Sequence, residues 1–151
     1  TGHTDRVTAV AFAPDGKTMA ATEQGTLLRV WRADTGKEIV KARLPEEFDS
    51  VWGLVFAPDG KGLLCGANRA LALVDPATGK VIRNYEGGCS SGLALSRDGK
   101  TLACVNTNTV VRLYDVESGK QLQPGGGHSG PVARITFSRD GRTVLVRFVI
   151  R

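Results

Sequence analysis

No stretch of this sequence stays apolar for the roughly 18–20 residues that a membrane-crossing helix requires. The first residues, TGHTDRV, lack the apolar core of a secretory leader. Cysteine occurs only at 65, 89 and 104, an odd number too small for a disulfide framework, and no C-x-x-C pair suggests zinc. We therefore expect a reducing, cytoplasmic setting, no membrane contact, no cofactor and no metal. Histidine is confined to His3 and His128, so imidazole chemistry has little to work with. Positive charge in excess is also scarce over most of the chain. The net charge is +5, yet residues 1–120 hold 15 Lys and Arg against 14 Asp and Glu, and residues 121–151 hold five Arg against one Asp. Those five arginines are scattered among apolar residues rather than clustered, which argues against a nucleic-acid partner.

What the sequence has is repetition. VAFAPDGK at 10–17 returns as LVFAPDGK at 54–61, LALSRDGK at 93–100 and ITFSRDGR at 135–142. Each phrase predicts a tight turn between two strands. Pro14 presets φ at the second turn position, Asp15 suits the third, and Gly16 accepts the left-handed conformation that closes the hairpin. Arg97 and Arg139 replace the proline without loss of the turn, since only the glycine needs a special dihedral. A second mark keeps phase with the first: DTGK at 34–37, ATGK at 77–80 and ESGK at 117–120. The runs between, such as LLRVW, LALVD and VVRLYD, are β-branched or aromatic and too short for helices. Four strands per unit follow.

Four strands at a period near 40 describe a blade of a β-propeller. The phrases resemble the WD-repeat (tryptophan–aspartate repeat) family, particularly its bacterial versions, along essentially the whole chain. Repeat one carries Gly2-His3, FAPDGKTMA and VWRADTGK, and repeat four opens with GHSGPV at 127–132. The expected fold is all-β, with four-stranded antiparallel blades at 1–45, 46–86 and 87–124 and a shorter unit at 125–151, about three and a half blades in all. We expect such an arc to be part of a larger propeller, or to be covered by another copy of the chain. Family blades share a buried hydrogen-bonded set of His, Ser/Thr, Asp and Trp. Repeat one keeps His3 and Trp31 but has Ala21 and Gly25 elsewhere, and repeat three offers Cys104, Asn108 and Tyr114. With no complete set, the resemblance implies apolar packing instead. Cys65 and Cys104 take the place of a small serine in packed second strands, whereas Cys89 falls in an incoming loop where exposure is open.

Chemical motifs dissolve on inspection. Asp34-Thr35-Gly36 spells an aspartic-protease triplet, but its counterparts begin with Ala77 and Glu117, so turn chemistry explains it. GKT at 16–18 and 99–101 lacks the earlier glycine of a phosphate loop, with Ala11 and Ala94 standing there. Gly125-Gly126-Gly127-His128 reads as a flexible connection between blades. No catalytic constellation survives.

Surface contacts remain. Counted from the turn aspartate, Trp52 is the large aromatic in a row with Thr8, Ser91 and Ala133, and Arg134 is the outlier in a row with Ala9, Gly53 and Gly92. Aromatic and Arg side chains supply much interface energy. The candidate protein contacts are Trp52, Phe48, Glu47, Asp49, Arg69 and Arg134, with Glu23, Gln24, Asn68 and Asn108 on loops between second and third strands. The resemblance implies a non-catalytic interaction scaffold within a larger regulatory or signalling protein. The alternative, an enzyme or ligand-binding propeller, would place its site at the central opening.

Overall fold

Each D-G phrase folds the chain back on itself. In the computed structural model, which describes residues 5–89, 92–106, 110–127 and 131–148, Gly16, Gly60, Gly99 and Gly141 all take φ near +70°. Asp15 accepts the backbone N–H of Lys17 at 2.9 Å, and Asp59 does the same for Lys61. Where arginine has replaced proline, a serine reinforces the corner. Ser96 Oγ donates to Asp98 at 2.6 Å and accepts Thr101 N–H at 2.9 Å, and Ser138 repeats the pattern with Asp140 and Thr143. The hydroxyl beside each carboxylate holds Asp98 and Asp140 below the ordinary aspartate range.

These corners generate three four-stranded antiparallel meanders and a hairpin. The first sheet comprises β1 (Val7–Phe12), β2 (Thr18–Glu23), β3 (Leu27–Arg32) and β4 (Glu38–Arg43). The second comprises β5 (Val51–Phe56), β6 (Leu63–Ala67), β7 (Leu71–Val74) and β8 (Val81–Asn84). The third holds β9 (Gly92–Leu95), β10 (Thr101–Asn106), β11 (Val110–Asp115) and β12 (Gln121–Gly127), and the hairpin is β13 (Val132–Phe137) with β14 (Val144–Phe148). Strand order equals sequence order within every sheet, as the two in-phase turn phrases require. One sequence reading needs amendment. The glycines at 125–127 are not a free connection but the end of β12, paired with β11 as far as Val110↔Gly127.

Alternation along each strand decides which neighbour it touches. In β10, Leu102 and Cys104 join Leu64, Leu71, Tyr85 and Tyr114 between the second and third sheets. Their neighbours Ala103 and Val105 point the other way, onto Val132 and Ile135 of the hairpin. The first seam is filled by Leu28 and Val30 against Leu63, Cys65 and Val74. The sheets thus stack as successive blades, each stabilised by contact with the next. On the side of the first sheet turned away from the second, Val10 and Phe12 alternate with the packed Ala9 and Ala11, and Phe12 is 60% exposed.

The seams are not purely apolar, contrary to the expectation from the missing family set. Tyr114 Oη donates to the Glu86 carbonyl at 2.5 Å, and Tyr85 Oη to the Val116 carbonyl at 2.9 Å. The two rings meet edge to face, centroids 5.8 Å apart. Burial pushes the Tyr85 phenol up to about 12. A phenol in the unfolded chain ionises near pH ~10, so the stability Tyr85 contributes is complete below that pH and is lost as pH rises towards 12. Denaturant titrations at pH 8 and pH 11 should therefore show an alkaline loss that Tyr85→Phe reduces. At pH 8 that variant should cost about 1 kcal/mol for the hydrogen bond. An alkaline loss unchanged in Tyr85→Phe would place its origin elsewhere.

Candidate functional site

The first strands of the units, β1, β5, β9 and β13, lie side by side, each against the next. They can do so because small residues stand where they converge. A Cβ added to Gly53 would come within 2.8 Å of Leu93 Cβ, and one added to Gly92 within 3.1 Å of Val105 and 3.2 Å of Ile135. These strands wall an axial groove of about 680 Å³.

The row read from the turn aspartates, Ala9, Gly53, Gly92 and Arg134, lies entirely on this wall. Trp52 and Ala133 of the neighbouring row join it. Trp52 is 44% exposed, and the space at Gly53 is occupied by Leu93. The ring is therefore not a filler for missing glycine side chains. Two further wall residues escaped the sequence reading, Arg97 and Arg139, which follow β9 and β13 in the S-R-D-G corners. Their signal was present as the replacement of proline in the last two of the four phrases.

Among the described residues, Arg97, Arg134 and Arg139 are exposed and pair with no carboxylate. The carboxylates adjacent in sequence are engaged within their own corners, Asp98 by Ser96 and Lys100 and Asp140 by Ser138 and Arg142. Among the described residues, the groove is lined by guanidinium groups, an indole, the phenyl ring of Phe137, two hydroxyls and aliphatic side chains, with no Asp, Glu, His or Cys. Such a wall can bind and orient, and it offers no general base or metal ligand. No group of three or more metal-ligating side chains gathers among the described residues.

The other expected contacts are dispersed. Glu47 and Asp49 are exposed on either side of Phe48, and Gln24, Asn68 and Arg69 are exposed in the corners between second and third strands. None of these five lines the groove. Asn108 and His3, His128 and Ser91 lie outside the described residues. Phe48 is removed from the contact set. Residues Glu46–Phe48 form one turn of 3₁₀ helix, closed by Phe48 N–H to the Pro45 carbonyl at 3.0 Å, and this turn sinks the phenyl ring fully into the first seam. Glu23 is likewise no loop contact. Its side chain is 1% exposed, accepts the Asp5 N–H at 3.1 Å and pairs with Arg29 at 3.3 Å. Cys89 is buried too. Its backbone N–H reaches the Ala67 carbonyl, and its thiol donates to the Gly92 carbonyl at 3.0 Å, drawing the loop onto the second sheet. Cys65 and Cys104 are buried in the strands where serine was expected, and burial pushes the Cys65 thiol up. For Cys104 the hydrogen bond with Cys89 raises the thiol first, and burial adds to it.

Comparison with known proteins agrees with this architecture. The family model "WD domain, G-beta repeat" matches residues 1–32. WD repeat-containing protein VIP3 of Arabidopsis thaliana is 30% identical, the match covering 91% of this chain and 48% of that protein. Telomerase Cajal body protein 1 of Bos taurus is 28% identical over 85% of this chain and 26% of its own length. This chain thus spans half or less of these relatives. Among solved structures, U3-55K superposes with a TM-score of 0.80 at 19% identity, over 90% of this chain and 44% of that one. The RRP9 WD40 repeats give the same score and identity, over 43% of their length. At such identity the likeness is one of fold.

Proposed function

We propose that this chain, a run of WD repeats folded as consecutive propeller blades, works as a non-catalytic protein-interaction surface within a larger regulatory or signalling protein of the cytoplasm. The observation that carries this reading is the axial groove, where a half-exposed indole and three guanidinium groups, paired with no carboxylate among the described residues, share one wall of strands and their corners. A large aromatic held by a strand offers contact area at little entropic cost. That no carboxylate, imidazole or thiol lines the wall among the described residues supports binding over turnover. Polypeptide suits the groove better than nucleic acid, because the two rings on its wall, Trp52 near the start of β5 and the half-buried Phe137 at the end of β13, stand at opposite ends and offer no continuous stack for bases. The uncovered face carrying Val10 and Phe12 supports a second contact, with further blades of the same propeller or with another copy of the chain.

Affinity capture followed by titration of the recovered partner tests the reading. Trp52→Ala leaves the buried seams untouched, so the variant folds, and its affinity should fall tenfold or more, a loss of about 1.4 kcal/mol or greater. A variant that keeps every partner at unchanged affinity would refute the assignment.

A further inference from the structure

The groove's charge narrows the class of partner, and this step rests on the interaction reading above. We infer that the axial groove receives an extended, acidic segment of polypeptide. Three arginines reach the wall, and among the described residues no carboxylate lines it or pairs with them. Arginine is suited to this task, because its planar fork meets a carboxylate through two parallel hydrogen bonds. Balancing charge comes to such a surface from the ligand.

The placement of the charges along the axis indicates an extended ligand. Arg134 is the third residue of β13, and Arg139 stands in the corner that follows that strand. Five residues of nearly extended chain separate them by about 15 Å. Arg97 occupies the same corner of the neighbouring unit, while Trp52 is the second residue of β5, at the Arg134 end. One end of the groove therefore presents a guanidinium and an indole on separate strands, and the other presents two guanidinium groups. Aliphatic side chains, among them Leu54 and Leu93, line the stretch between. An extended peptide of about five residues spans that distance, with carboxylates for both ends and apolar surface for the middle. The groove's volume of about 680 Å³ lies within the ~300–1,000 Å³ usual for compact ligand sites.

The test is fluorescence anisotropy with the intact chain and three labelled ten-residue peptides of alternating Glu/Ala, Lys/Ala or Ser/Ala, plus a ten-nucleotide oligothymidine. The Glu/Ala peptide should bind selectively and weaken as salt rises. The triple variant R97Q/R134Q/R139Q should weaken it at least tenfold, with an unchanged circular-dichroism spectrum because all three side chains are exposed. Failure of the Glu/Ala peptide to bind, binding unaffected by the triple variant, or equal or tighter binding of the oligothymidine would each overturn the inference. If it fails while Trp52-dependent capture of a partner persists, the interaction reading stands with a partner of different charge. If the Trp52 dependence is absent as well, both readings fall.

Discussion

Tyr114→Ala should destabilise the protein by about 4 kcal/mol and split its unfolding into two steps. The ring is fully buried between the second and third sheets, where it packs with Leu64, Leu71, Leu102 and Tyr85. Truncating a buried aromatic side chain removes its transfer energy and leaves a cavity, typically costing 3–5 kcal/mol. The variant also loses the hydrogen bond to the Glu86 carbonyl. The splitting follows from the architecture. The first seam is held by its own cluster around Leu28, Leu63 and Phe48, and the last by Val105, Val132 and Ile135. A stack whose neighbours are coupled only through seams divides at the weakest one. Denaturant titration followed by far-ultraviolet circular dichroism and by thiol labelling checks this result. Cys65 belongs to the first seam and Cys104 to the second, so their thiols report separate events. Tyr114→Phe keeps the volume, loses about 1 kcal/mol and should unfold in one step. A Tyr114→Ala loss below 1 kcal/mol, or coincident exposure of the two thiols, would contradict the division into seams.

The fold was legible because its punctuation is local. A turn needing a left-handed glycine can be read from four letters, and two such turns in phase leave room only for short antiparallel strands. The row Ala9, Gly53, Gly92 and Arg134 was legible for the same reason, since equal counts from equivalent corners reach equivalent points on the wall. What failed was burial of individual polar and loop residues, which depends on partners distant in sequence. Phe48 sits in a polar phrase, PEEFDS, and nothing local tells that its one-turn helix aims the ring inward. Cys89 lies among glycines and serines, yet Gly66 of another sheet leaves a space its side chain fills. A Cβ on Gly66 would stand 2.7 Å from Cys89 Cβ. Locally, Arg97 and Arg139 are tolerable turn residues and nothing more, because their place on one groove exists only after the blades stack.

Glu23 shows the same limit and carries the remaining large effect. At the end of β2 it resembles an exposed corner residue, but the register places Ala21 beside Arg29 and Met19 beside Trp31, which sets Glu23 over the same face. Arg29 then bridges Glu23 at 3.3 Å and Glu38 at 2.6 Å, its guanidinium 5.5 Å from the centre of the Trp31 ring. This set gives the first blade a paired polar contact beside Trp31, although Ala21 and Gly25 leave the family's hydrogen-bonded set incomplete there. Removing Glu23 leaves the buried Arg29 guanidinium with Glu38 as its remaining carboxylate partner, so Glu23→Ala should cost about 2 kcal/mol. Glu23→Gln keeps an acceptor for the Asp5 N–H and should cost less. Replacing both charges with apolar groups of similar volume, E23L/R29M, should recover most of the loss, since an ion pair pays its own desolvation. The exposed pair Arg32–Asp34 is a control, short at 2.7 Å but half in solvent on both sides. Asp34→Ala should therefore leave the denaturation midpoint unchanged, because hydration and salt already screen that contact. If Glu23→Ala were as neutral as Asp34→Ala, the buried bridge would contribute nothing to the first blade. The stability of that blade would then rest on Leu28, Val30 and their apolar neighbours alone.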